Sequence, residues 1–85
     1  GVLMINPKQT YIEESVQVGA GTVIYPNVFL RGSTQVGSFS VLESQVFVSD
    51  SRIGNSVQVK AGSYIENSTL LDRSSVGPYA RLRPE

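Results

Sequence analysis

The amino-acid sequence predicts an all-β fold, a parallel solenoid wound from six-residue repeats. Three observations predict it. Aliphatic residues recur with a period of six, the residue two positions before each is small, and the remainder of each hexad is turn-like.

The aliphatic series opens at Ile12 and runs through Val18, Ile24, Leu30, Val36, Leu42 and Val48. A five-residue step leads to Ile53, Val59 and Ile65, and a second leads to Leu70, Val76 and Leu82. All thirteen positions are Ile, Leu or Val, although those three types make up only about a quarter of the chain. Two residues earlier stand Thr10, Val16, Thr22, Val28, Thr34, Ser40, Val46, Ser51, Val57, Ser63, Ser68, Ser74 and Ala80. The two short steps keep this rule, which marks them as one-residue deletions in turns. Residues i and i−2 of a strand share a face, so each hexad buries one bulky and one small side chain and turns the residue between outward. The stretches "VGAG", "RGST", "VGSF", "IGNS", "KAGS" and "VGPY" supply the corners. A period of six is foreign to the 3.6-residue stripe of a helix. Hairpins would need longer strands. Thr10 to Leu82 holds thirteen such hexads.

Sorting the outward residues by coil gives three faces. One carries Gln17, Gln35, Arg52 and Thr69 and reads as solvated. Another carries Val23, Val41, Gln58 and Ser75, apolar first and polar later. The third carries Tyr11, Phe29, Phe47 and Tyr64, then Arg81. Rungs lie about 4.8 Å apart, so rings on successive rungs can stack. Such a column either stiffens the coil or covers a partner surface, and outward phenylalanines favour a subunit interface. Tyr11, Phe29, Phe47 and Tyr64 are therefore the candidate interface residues, with Val23 and Val41 as neighbours. Residues 1–9 read as a lead-in segment or N-terminal cap, with Val2, Leu3 or Met4 as a plug, and residues 10–85 as the solenoid.

Composition narrows function. An 85-residue chain is one small domain. Seven basic residues balance seven acidic ones without like-charge runs, which argues against nucleic acid or an acidic membrane as partner. No apolar run approaches a membrane span of about 20 residues. Cysteine is absent, which excludes disulfides and thiolate sites and is compatible with the cytoplasm. Histidine is absent too, removing the usual general base and the commonest metal-ligating side chain. No catalytic residue and no metal ligand is assigned.

The remaining motifs are weak singly. "VGAGT" lacks the third glycine and following helix of a dinucleotide site and reads as a corner. Glu13, Glu14, Glu43, Asp50, Glu66 and Asp72 are scattered over turns that read as solvated, and Lys60 is a corner residue. In "GPYARLRPE", Ala80 and Leu82 continue the inward series, Arg81 points outward on the aromatic face, and Arg83 falls at the next corner. Guanidinium suits bidentate recognition of phosphate or carboxylate.

Together the hexads resemble those of left-handed parallel β-helices; periodicity gives the repeat, and the resemblance gives the hand and the triangular coil of three hexads, of which Thr10 to Leu82 make a little over four. That hand departs from the usual right-handed crossover. More specifically, "GVLMINPKQTYIEESVQVGAGTVIYPNVFLRG" and "VGPYARLRPE" resemble the bifunctional N-acetylglucosamine-1-phosphate uridylyltransferase / glucosamine-1-phosphate acetyltransferase family, over essentially the whole chain. The stretches Asn6-Pro7 to Ile12, Tyr25-Pro26 to Gly32 and Gly77 to Pro84 carry the likeness in order and spacing. Tyr79, where phenylalanine is common, and Glu85, where glycine is common, depart from it.

The resemblance implies the N-terminal part of that family's β-helix domain, cut at its C-terminal end, with the nucleotidyl-transfer domain before Gly1 and the acetyl-transfer histidine, lysines and asparagine beyond Glu85. It implies an enzyme of UDP-N-acetylglucosamine biosynthesis for the bacterial cell wall, cytoplasmic and homotrimeric, that uses acetyl-CoA and Mg2+, with neither bound by this chain. Arg83 matches a family arginine that binds the sugar phosphate, so it is the one substrate-binding residue assigned. The fragment alone is expected to be inactive. The alternative is a purely structural trimerising β-helix of another sugar-phosphate nucleotidylyltransferase. A self-contained hexapeptide-repeat enzyme fails for want of histidine.

Overall fold

The computed structural model describes residues 1–84; Glu85 lies outside the described residues. Hexads that cannot pair with their sequence neighbours pair with the hexad one coil away, and three parallel sheets result. The first holds β1 (Leu3–Met4), β4 (Val23–Ile24), β7 (Val41–Leu42), β10 (Gln58–Val59) and β13 (Ser75–Val76). The second holds β2 (Tyr11–Ile12), β5 (Phe29–Arg31), β8 (Phe47–Ser49), β11 (Tyr64–Glu66) and β14 (Arg81–Leu82). The third holds β3 (Gln17–Val18), β6 (Gln35–Val36), β9 (Arg52–Ile53) and β12 (Thr69–Leu70). Every pairing is parallel and keeps aliphatic over aliphatic, as in Leu30↔Val48 and Ile65↔Leu82. The three outward columns read from the sequence are the three outer faces of this prism, which measures 33 × 24 × 22 Å.

The series of thirteen aliphatics is the core. Ile24, Leu30, Val36, Leu42, Val48, Ile53, Val59, Ile65 and Leu70 are buried, while Ile12, Val18, Val76 and Leu82 pack on them half-buried from the outer rungs. Each fully buried aliphatic contributes roughly 1.5–3 kcal/mol of transfer free energy. The small residues two positions earlier line the same interior, with Val28, Val46, Val57, Thr22, Thr34, Ser40, Ser51 and Ser63 buried.

The hydroxyls among these small residues do more than fit. Thr22 Oγ1 donates to the Gly37 carbonyl at 2.7 Å and accepts the Ser40 amide at 3.1 Å. Ser40 Oγ then donates to the Gly54 carbonyl at 2.9 Å and accepts the Val57 amide at 3.0 Å. At a second corner the Ser51 amide donates to Thr34 Oγ1 at 3.3 Å, and the Ser68 amide to Ser51 Oγ at 3.1 Å. An inward amide on one rung is thus satisfied by the hydroxyl of the rung before it, as buried backbone donors require. No buried side-chain nitrogen or oxygen lacks a partner among the described residues.

Both one-residue deletions fall at the same corner, between the second and third sheets. The hydroxyls there absorb the change. At the full-length corner Thr34 Oγ1 donates to the carbonyl three residues back, Arg31, at 2.7 Å. At the shortened corners Ser51 and Ser68 donate to the carbonyls two residues back, Ser49 and Glu66, each at 2.9 Å.

Corners also need residues in the left-handed region. Gly21, Gly32 and Gly62 serve, but so do Phe39 (φ 58°), Asp50 (φ 49°), Asn67 (φ 48°) and Tyr79 (φ 57°). The amides of these last four donate to a carbonyl one coil back, as from Phe39 to Ala20 at 3.1 Å and from Tyr79 to Ala61 at 2.9 Å. The two aromatics sit over glycines: a Cβ on Gly21 would run into the Phe39 ring, and one on Gly62 into the Tyr79 ring.

The stretch expected to lead in or cap contributes a rung of its own. Leu3 and Met4 pair with Val23 and Ile24, Met4 packs on the core, and a 3-10 turn at Pro7–Gln9 leads to β2. Among the described residues two faces therefore carry five rungs and the third four, close to five coils rather than a little over four.

The hydroxyl ladder is testable at Thr22. Thr22→Val preserves shape but leaves the Ser40 amide buried without its acceptor, so stability should fall by about 1–3 kcal/mol in urea unfolding. A loss within about 0.3 kcal/mol would show the ladder to be dispensable.

Candidate functional site

The outward column of the second sheet is brought together as expected: Tyr11, Phe29, Phe47, Tyr64 and Arg81 stand in register on β2, β5, β8, β11 and β14. The rings do not form one continuous stack. Tyr11 and Phe29 lie 6.3 Å apart at 37°, and Phe47 and Tyr64 lie 4.7 Å apart at 4°. An open groove of about 510 Å³ lies on this face, lined by Tyr11, Phe29, Phe47 and Arg31. Tyr11 and Phe29 are 49% and 44% exposed, whereas Phe47 and Tyr64 are half-buried. The Arg81 guanidinium lies 5.9 Å from the centre of the Tyr64 ring, a cation–π contact that continues the column past its last aromatic.

Arg83 is exposed at the corner after β14, beyond the outward Arg81 and the inward Leu82. Its position leaves the guanidinium accessible to an anion. Val23 and Val41 stand on the neighbouring face, each half-buried. No three acidic side chains gather into a metal-capable group among the described residues.

Four of the carboxylates that read as solvated turn residues, Glu13, Glu43, Asp50 and Asp72, are instead corner fasteners. Glu13 accepts the Gly32 amide at 2.7 Å and lies 3.9 Å from Arg31. Glu43 accepts the Ala61 amide at 3.1 Å and the Gln58 side-chain amide at 2.9 Å. Asp72 accepts the Asn55 amide at 2.8 Å, and Asp50 accepts the Ser33 amide at 2.9 Å. The Ser33 amide, with the Ser49 hydroxyl at 3.2 Å, holds the Asp50 carboxyl below its usual range. Engaged in this way, these groups are acceptors for backbone rather than acids or bases for chemistry.

Sequence reasoning passed over several exposed apolar residues. Phe39 is 69% exposed and Tyr79 74%, and Leu71 and Tyr25 are exposed as well. The available signal was a large apolar side chain at a turn position of the hexad, where its counterparts are glycine or polar.

No protein-family model matches the chain. Curated proteins do, over its whole length. The bifunctional protein GlmU of Bdellovibrio bacteriovorus is 65% identical over 85 residues, 100% of this chain and 19% of that protein. Over its whole length the segment is similar in sequence to one stretch of that GlmU protein. The GlmU of Trichlorobacter lovleyi is 50% identical over 84 residues, 99% of this chain and 18% of its own. That of Clostridium beijerinckii is 45% identical over 85 residues, 100% of this chain and 18% of its own. The chain thus spans about a fifth of the length of the GlmU relatives it matches. These matches carry the likeness to GlmU and not the expected position at the start of its β-helix domain. Among solved structures, the acetyltransferase domain of PglB from Neisseria gonorrhoeae FA1090 overlays 98% of this chain and 51% of its own. The TM-score is 0.35 and the identity 16%, too loose an overlay to carry an argument.

For the corner fasteners, Asp50 gives a pH test. Its folded-state pKa is depressed, so its stabilisation is present above the unfolded value and is lost as pH falls through the folded one, below about pH 4. Asn55 does the same task for the Ser38 amide at 2.8 Å without a charge. Asp50→Asn should therefore keep the fold at neutral pH and lose less thermal stability than the parent chain between about pH 5 and pH 2. Parallel curves for the two proteins would refute the role.

Proposed function

We propose that this chain is the part of a bifunctional sugar-phosphate uridylyltransferase and acetyltransferase that supports its trimeric assembly and forms one edge of its acetyl-transfer site. The observation that carries the reading is 65% identity to a bifunctional GlmU across all 85 residues. The enzyme as a whole makes UDP-N-acetylglucosamine for the bacterial cell wall, in the cytoplasm. No helix among the described residues is long and apolar enough to cross a membrane.

Within this reading Arg83 binds the phosphate of the sugar phosphate. A sugar-phosphate site needs several convergent groups, so one exposed arginine binds weakly by itself and the segment alone does not catalyse acetyl transfer. The chain holds no histidine and no cysteine, and no cluster of acidic side chains gathers among the described residues. Acetyl-CoA and Mg2+ are proposed for the whole enzyme alone. What the segment contributes to that site is positive charge at a fixed corner.

The aromatic column is the proposed subunit contact. Phe29 and Phe47 present apolar rings on adjacent rungs, and a second copy packed on this face would withdraw them from water. Replacing both, Phe29→Ser and Phe47→Ser, should convert trimers to monomers in sedimentation equilibrium. An unchanged mass would sink the interface.

For Arg83 the test belongs in the full-length enzyme. Arg83→Ala should raise KM for the acetyl acceptor about 10–100-fold, the loss of one or two charge-assisted hydrogen bonds, and leave uridylyl transfer untouched. An unaltered acetyl-transfer KM would remove Arg83 from the site.

A further inference from the structure

We draw no further inference here: the strongest candidate, the open aromatic groove that Tyr11, Phe29, Phe47 and Arg31 line on the second sheet, belongs to the surface already assigned to subunit contact, and nothing in the structure shows what else covers it.

Discussion

The structure depends on rung-over-rung pairing: each residue sits above its counterpart one coil away, 17 or 18 residues back in the chain, or 20 where β4 pairs with β1. Leu30 lies over Ile12, Val48 over Leu30 and Ile65 over Val48, and the ladder of parallel backbone hydrogen bonds holds them there. Because pairing is in register, every column down the solenoid shares one environment. A column is uniformly inward, outward or corner, and the chemistry allowed at one rung is nearly the chemistry allowed at all. This explains how strands of two or three residues persist. None could survive as a hairpin, but each inner strand is bounded above and below by an equivalent strand, each end strand pairs on one side, and all close over a shared core.

The same constraint decides what the sequence could disclose. Inward columns are set by volume and polarity alone, so Ile12 to Leu82 and their small partners could be read from spacing, as could the three outward columns. Corner chemistry is different, because it rests on where individual polar atoms point. Asp50 and Asp72 reach back to amides 17 residues earlier, while Glu13 and Glu43 reach forward by 19 and 18. Nothing in the local sequence of "EESVQ" or "VSDSR" shows which amide a carboxylate will find. The same holds for the serines: size placed Ser40 and Ser51 inside, but only the geometry shows that they accept the amides of the next coil. The break in the aromatic column between Phe29 and Phe47 depends on ring orientation, which a period of six cannot encode. The rung at Leu3–Met4 escaped the count because eight residues, rather than six, separate Met4 from Ile12.

Bulky corner residues show how firmly stacking governs the rest. Left-handed backbone disfavours a large L side chain, yet Phe39 and Tyr79 adopt it. Each is tolerated because the rung beneath supplies glycine, so the ring lies against bare backbone. The pairing is reciprocal. Gly21 is at left-handed φ itself, and it is bare where the next rung places a ring. A corner aromatic in a hexad chain is therefore legible only with its partner glycine, 18 residues earlier for Phe39 and 17 for Tyr79.

What this architecture offers to function follows from what it uses up. The core consumes the aliphatics, the corners consume most of the carboxylates, and the inward serines and threonines are spent on amides. Few polar groups remain free to act, and the chain has no histidine to add. The outward aromatics and the arginines past Tyr64 are what the fold leaves over, and they differ in kind. Rings on a rigid ladder suit a broad contact that needs area and little orientation. A corner guanidinium suits one anion, and reaches useful affinity only where other donors converge on the same phosphate. A solenoid can supply those donors only from rungs above or from a neighbouring copy, since Arg81 is already turned toward Tyr64. On the proposed reading, Arg83 becomes a site only through assembly, and the aromatic face is the surface proposed for that assembly.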